Sequence, residues 1–381
     1  MKKKILFGLL VFTLVALPLF GACAEPAPPA PAPPTPAPVA PPVEPPEVDP
    51  LAQLIEAARA EGKAFVRINP EVDEDEMKRL EYEIEETFGV KLELINQYVG
   101  PPSVALSKLY MELAAGVTPH LDLMWSSAVY SFMPEWLAIT KEIDWHALLT
   151  EDMNPAVVQD HLPVPSISWG DALYTIMYRT DKLSADEVPT TWTGLADPKL
   201  RGVVGIPNYA SAIVDYAYQS GDKEEVLSGI RACLANDAFL GRYGDIMARI
   251  ELGEIWVGGT VTHRFLMSRE RGVPLATALM YDTVVLNAYA TVVVKGAKHT
   301  NAATLVLLYL SSPEGSKWQE DTWGCSTRHY PGSWVYDTVA QAERDGLPII
   351  DVNKWTEYVE FLLSPEIDMW TEEASAILAG E

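Results

Sequence analysis

Hydrophobic and polar positions change rhythm several times along this chain, and each change marks an element. Ile5 to Phe20 is one continuous apolar run. Residues 24–50 then carry 13 prolines in 27 positions, a composition that packs no core and favours polyproline II. Helical spacing begins at residue 51, with Leu51, Leu54, Ile55 and Ala58 on one face. Asp49 is placed as N-cap, Pro50 at the first helical position and Gly62 as C-cap. "AFVRIN" (64–69) reads as a buried strand. The following "EVDEDEMKRLEYEIEETFG" sets Met77, Leu80, Ile84 and Phe88 on one helical stripe, with acids crowding the first turn.

"VKLELINQYVG", "SVALSKLYMELAAG" and "HLDLMWSS" continue as strand, helix and strand. Such alternation predicts a parallel sheet with crossover helices. It resumes with strands at 172–180, 202–208 and 255–262, a helix beginning in "SAIVDYAYQ", a long extended run at 283–296 and a helix at 301–312. Ser312-Pro313-Glu314 and Ser364-Pro365-Glu366 both read as an N-cap followed by proline at N1. The pattern as a whole predicts an α/β fold. At 381 residues the chain exceeds one hydrophobic core, so at least two domains are expected.

Composition refines this picture at three points. The 53 acids against 28 bases give a formal charge of −25, which argues against nucleic-acid binding because that needs a basic footprint. Lys2, Lys3 and Lys4 precede the apolar run as a signal-peptide n-region would. As a helix, that run of 16 residues would reach about 24 Å, short of the roughly 30 Å hydrocarbon core, so a signal peptide is a better reading than a span. Ala22-Cys23-Ala24 fits ordinary signal peptidase, whereas Phe20-Gly21-Ala22-Cys23 resembles a bacterial lipobox in which the cysteine is lipidated. The proline tract favours the lipobox reading. Residues 1–22 are then the signal peptide, Cys23 the lipid-attachment site and 23–50 a tether. Acyl chains anchor with about 0.8 kcal/mol per buried CH₂.

Enzyme signatures are missing: the chain has no G-x-S-x-G, H-E-x-x-H, Walker or G-x-G-x-x-G pattern. Its six histidines show no zinc spacing, and neither a cofactor nor a metal site is expected. Cys233 and Cys325 could close a loop of about 90 residues, but Cys233 reads better as a small buried residue on a helix with Ile230 and Leu234.

At "PTTWTGLADPKLRGVVGIPN" (189–208) the chain resembles the P-x-x-W-x-x-L-x-D-P-K-x-x-G-x-x-x-x-P segment of bacterial extracellular solute-binding proteins, family 1. Within that family it is most similar to the ferric-iron-binding branch that serves ABC importers. "LIEAARAEGK", "FGVKLELI", "LDLMWSS", "ELGEIWVGG" and "VVVKGAKHTNAATLVLLYLSSPEG" resemble further family segments in the same order. The resemblance implies a two-lobed, periplasmic-binding-protein-like type II fold with the ligand in a cleft between lobes. Lobe one would hold 51–170 with 288–325, and lobe two 171–287 with 326–381. Hinge strands would lie near 169–178 and 283–293. The implied protein is a monomer anchored as a lipoprotein on the outer face of the cytoplasmic membrane. It would capture a small solute or ion and deliver it to an ABC permease.

Ligands in such sheets sit at the carboxyl ends of strands. That rule selects Asn69 after the first strand, Ser103 at a helix start, and Trp125, Ser126 and Ser127 after the third. In the second lobe it selects Asn208, Tyr209 and Ser211, and Thr262, His263 and Arg264 in the loop after "IWVGG". The ferric branch carries an adjacent tyrosine pair in that loop, and those positions here fall on Thr262 and His263. Hard Fe³⁺ prefers anionic oxygen, so the expected ligand is a small oxygen-rich organic solute or anion whose charged end meets Arg264 and the helix starts at Ser103 and Ser211. Ferric iron or an iron chelate is the alternative, with Tyr209 and Tyr289 as phenols that could reach a metal. An exported enzyme on the same scaffold is the rival of another class. A buried acid/base pair with shifted pKa in the cleft would favour it, whereas polar groups and aromatics alone favour binding.

Overall fold

The computed structural model describes residues 49–69, 72–100, 102–352, 354 and 356–380, without the side chains of Val129 and residues 260–264. The expected signal peptide, Cys23 and nearly all of the expected proline tether lie outside the described residues.

The first part of the chain forms α1 (Pro50–Glu61), β1 (Lys63–Arg67), α2 (Glu74–Phe88), β2 (Glu93–Asn96), α3 (Pro102–Ala114), β3 (Leu123–Ser127) and α4 (Pro134–Ile139). A short pair, β4 (Val158–Gln159) and β5 (Ser166–Ile167), leads to the long β6 (Asp171–Arg179). Then come α5 (Trp192–Leu195), β7 (Val204–Pro207), α6 (Ala210–Ser220), α7 (Lys223–Ala235), β8 (Phe239–Gly241), α8 (Tyr243–Leu252), β9 (Val257–Val261), α9 (Thr262–Glu270) and β10 (Leu275–Leu279). The chain returns through β11 (Val284–Val293), α10 (Thr300–Leu310) and α11 (Pro313–Trp323). It ends with α12 (Trp334–Asp345), β12 (Ile349–Asp351), α13 (Thr356–Leu362) and α14 (Glu366–Leu378).

The expected caps account for the helix ends. Asp49 accepts from the Leu51 N–H at 3.0 Å, and Gly62 takes the left-handed conformation, φ 67°, that closes α1. Ser312 caps α11 by accepting from Gly315 N–H. The second Ser-Pro-Glu is displaced by one residue: Pro365 stands at the cap of α14, and Ser364 Oγ still accepts from Glu366 N–H at 3.2 Å. Nine successive residues of α10, Ala302–Leu310, are buried, as befits a helix that is apolar on all sides.

The strands join in the order β2-β1-β3-β11-β6-β9-β7-β8, with β10 on β6 and β12 on β11. The parallel expectation holds at both ends, where β1 pairs with β2 and β3, and β7 with β8 and β9. It fails in the middle. β11 runs antiparallel to β3 and β6, and β6 antiparallel to β9 and β10. Long strands returning without a crossover helix of their own have no reason to stay parallel. β6 pairs with β11 at Asp171–Leu173, and with β9 and β10 from Tyr174 onward.

Separate apolar clusters flank this crossing. One gathers α1, α2, α10 and Trp145, Trp169, Trp318 and Trp323; another gathers α6, α7, the C-terminal helices and Trp192. Cys233 lies in the second and Cys325 in the first, and both are buried free thiols. Among the described residues no helix is long and apolar enough to cross a membrane.

Candidate functional site

A cavity of about 350 Å³ opens where β3, β11 and β6 lie side by side. One wall comes from Ser127 at the end of β3 and from Tyr130 and Met133 just after it. The floor is Asn287 of β11 and Tyr174 of β6. The other wall comes from Ser211 and Asp215 on α6 and from Tyr358, Val359, Leu362, Leu363 and Ile367 on the C-terminal helices.

Strand alternation explains the floor. Asn287 is paired across from Ala172, so it shares a sheet face with Tyr174 two residues on. Its amide joins the strands: Ser127 Oγ donates to Asn287 Oδ1 at 2.7 Å, and Asn287 Nδ2 donates to Tyr174 Oη at 3.3 Å. The charged member is Asp215. Tyr358 Oη donates to its Oδ1 at 2.6 Å, and Asp215 has no ion-pair partner among the described residues. It is half-buried and lines the cavity. Burial pushes its carboxyl up to about 7, against the pull of the Tyr358 hydrogen bond. Burial also raises the phenols of Tyr130, Tyr174 and Tyr358, and the nearby Asp215 charge raises them further. The arrangement is a desolvated carboxylate among protonated phenols, with an apolar side at Val359, Leu362 and Ile367.

Of the residues selected from sequence, Ser127 and Ser211 line this cavity. Trp125 and Tyr289 lie one step along the same sheet face, inside an aromatic cluster. Their rings are 4.9 Å apart, and Trp169 and Trp323 stand 5.7 and 6.1 Å from Trp125. Tyr289 is 8% exposed, and burial holds its phenol well above its ordinary pKa. Ser126 is buried on the opposite face, and Asn69 is buried with its carbonyl accepting from Asn96 Nδ2. Ser103 is exposed near the start of α3, and Asn208 is exposed beside Tyr209, whose ring packs 5.6 Å from Tyr243. Thr262, His263 and Arg264 are not in a loop: β9 passes directly into α9 and they form its first turn. Their side chains are not among those described.

Reading strand ends missed Asp215, Tyr174, Asn287, Tyr130 and Tyr358. One signal was available. In "SAIVDYAYQ" a single acid interrupts a helix whose Ala212, Ile213, Val214, Tyr216 and Ala217 are all buried. An ionisable group in that setting is uncommon without a task. Among the described residues no group of three or more His, Cys, Asp or Glu could hold a metal ion.

Comparison with known proteins agrees with the architecture. A search of the curated proteins returns no match. Solved structures do match. The spermidine/putrescine ABC transporter substrate-binding protein of Streptococcus pneumoniae superposes with a TM-score of 0.59 at 15% identity, over 81% of this chain and 99% of that one. The periplasmic binding protein AfuA of Actinobacillus pleuropneumoniae, with fructose-6-phosphate bound, gives 0.59 at 16% identity, over 82% and 98%. Iron-bound HitA of Pseudomonas aeruginosa gives 0.54 at 13%, over 74% and 98%. These identities carry the fold, the two-lobed type II periplasmic-binding-protein architecture, and not the ligand. The sequence model of one family, bacterial extracellular solute-binding protein, matches residues 152–349, just over half of the chain. The chain belongs to the bacterial extracellular solute-binding proteins.

Proposed function

We propose that this protein is the substrate-binding component of an ABC importer, and that the cavity at the β3–β11–β6 crossing holds its solute. The observation that carries the reading is the lining itself: one wall follows β3, the opposite wall belongs to α6 and the C-terminal helices, and Asn287 and Tyr174 span the floor. A pocket with an apolar side and a few convergent polar groups suits a small molecule. Residues 51–170 with 288–325 form one lobe and 171–287 with 326–381 the other, with β6 and β11 as hinge strands. Closure about them would tighten the walls on the solute.

The structural neighbours bind solutes as different as a polyamine, a sugar phosphate and iron, so the shared fold does not select among them. Cys23 carries the lipid, the proline tract holds the body off the membrane, and the monomer docks on a permease from the extracytoplasmic side. The shifted carboxyl of Asp215 is one half of the acid/base pair that an enzyme would need. The other described titratable groups of the lining are phenols pushed away from neutrality, so binding without turnover remains the better reading.

The test uses the mature chain incubated with a metabolite extract of its host and examined by native mass spectrometry. A small-molecule adduct is expected, to be recovered chemically unchanged. Ser211→Trp, which fills the cavity from an exposed position on α6, should abolish it. An adduct that survives in Ser211→Trp places the solute elsewhere, and a transformed product favours the enzyme. Independently, Cys23→Ala should release the protein from the membrane fraction; retention there would contradict the lipid anchor.

A further inference from the structure

Asp215 sets the electrical character of the cavity. It is the one charged side chain among the described lining residues, and no described lysine, arginine or histidine pairs with it. A buried carboxylate without a cation is costly in the folded chain. Evolution commonly removes such a group, or pairs it inside the protein, as Asp171 is paired with Arg328 in this same molecule. Here the pairing position is left open to a cavity. Around it stand Tyr130, Tyr174 and Tyr358, whose oxygens can accept hydrogen bonds and whose ring faces attract cations. Val359, Leu362 and Ile367 complete the lining with hydrocarbon.

Arg67 on β1, a base close to Trp125, is engaged elsewhere. Its Nη2 donates to Gly100 O at 2.6 Å, and its guanidinium lies 5.1 Å from the Tyr98 ring and 5.7 Å from the Trp125 ring. It is not among the lining residues.

From this geometry we propose that the solute is a small organic monocation, an amine or quaternary ammonium, whose charged end pairs with Asp215 while its apolar body lies against Val359, Leu362 and Ile367. One carboxylate calls for one positive charge, and the cavity volume admits a body of a few carbon atoms. The inference rests on the receptor reading above and departs from the anion expected from Arg264.

Binding should also depend on pH in a particular direction. The groups facing Asp215 are the phenols of Tyr130 beyond β3, Tyr174 on β6, Tyr216 on α6, Tyr243 on α8 and Tyr358 on α13, all raised by burial. The acids of the C-terminal helices nearest the cavity, Glu357, Glu360, Glu366 and Asp368, are exposed to solvent. Between pH 5 and 8 the described group that changes charge at the cavity is therefore Asp215, which titrates near 7. Affinity for a permanent cation should rise with pH through that value.

The experiment measures thermal stabilisation and titration calorimetry of the mature chain with five probes: choline, phenethylamine, putrescine, 3,3-dimethylbutan-1-ol and hexanoate. The alcohol is the neutral isostere of choline. At least one monocation should bind, more tightly at pH 8 than at pH 5.5, and the alcohol and hexanoate should not. Asp215→Asn should weaken the monocation roughly 10- to 100-fold. Tyr358→Phe keeps the carboxylate but removes its donor. It should weaken the monocation near pH 7, less than Asp215→Asn does, and move the pH midpoint upward, which a merely structural role for Asp215 would not produce. Preference for hexanoate or the alcohol, preference for putrescine, or equal binding to Asp215→Asn would each overturn the proposal. So would a panel in which nothing binds. In that case a native-mass-spectrometry adduct that Ser211→Trp abolishes would show the receptor reading standing without it.

Discussion

Asp171 is a buried carboxylate and Asp215 a half-buried one, both close to the strand crossing, and the molecule treats them in opposite ways. Asp171, at the start of β6, is enclosed by Arg328. The guanidinium Nη2 lies 2.6 Å from Oδ1, Nε donates to the same oxygen at 2.8 Å, and the Arg328 N–H donates to Oδ2 at 2.9 Å. Arg328 also reaches Asp351 on β12 at 2.6 Å. Burial opposes the charge of Asp171, yet the guanidinium wins and holds its carboxyl below the ordinary range. Asp215 has a phenol where Asp171 has a guanidinium, and its pKa moves the other way. A satisfied pair locks strands together; an unsatisfied one leaves its charge open to the cavity, where the proposal above places a cation. The comparison separates the part of the crossing that is internally paired from the part that lines the cavity.

The largest effect should come from breaking the satisfied side. Arg328→Ala leaves Asp171 buried without its cation and should cost about 3–5 kcal/mol in urea unfolding. Arg328→Lys should recover little, because a single ammonium cannot serve both carboxylates in the guanidinium's fork geometry. A loss below about 1 kcal/mol would remove the contrast. On the other side the sign reverses. At pH 8 and without ligand, Asp215→Asn should raise stability by roughly 2–4 kcal/mol, because burial pushes the carboxyl up to about 7 and keeping it ionised at pH 8 is costly. Destabilisation by this variant at pH 8 would mean that Asp215 has a cationic partner after all.

The pH dependence sharpens the same point. Asp215 has a raised folded-state pKa, so its unfolded form loses its proton first. Its contribution should therefore fall between about pH 4 and 7 and stay low above that. Asp171 has a depressed folded-state pKa. Its contribution is present above about pH 4 and is lost as pH falls further. Wild type should accordingly lose stability from pH 4 to 7 relative to Asp215→Asn. A smaller effect concerns the turn into β6. A Cβ at Gly170 would collide with Cys325 Sγ, so Gly170→Ala should cost about 1–3 kcal/mol through overpacking. Calorimetry in which Gly170→Ala melts with wild type would show that the turn yields easily.

Much of the scaffold could be read before the structure, because its signals are local. The caps at Asp49 and Gly62 and the stripe Met77, Leu80, Ile84 are decided within a turn or two of helix. The direction of β11 was not legible, since an extended run carries no mark of which neighbour it will meet or how it runs. β8, β10 and β12, of three to five residues, are too short to show a period. The helical first turn at Thr262 was hidden because "TVTHRF" offers β-branched residues where α9 begins. The site was least legible. Strand ends led to Ser127 and Ser211, which line the cavity, but Tyr130, Tyr174 and Tyr358 converge from segments far apart in sequence, and only folding brings them to Asp215.

The most direct measurement is the titration of individual aspartates, by NMR of the carboxyl carbons in mature protein carrying labelled aspartate, with Asp171→Asn and Asp215→Asn assigning the two signals. The account predicts that Asp215 titrates near 7 without ligand and moves downward when a monocation binds, while Asp171 stays ionised below the usual carboxylate range. An Asp215 signal that titrates near 4 in the free protein, or one that a bound solute leaves unmoved, would contradict it.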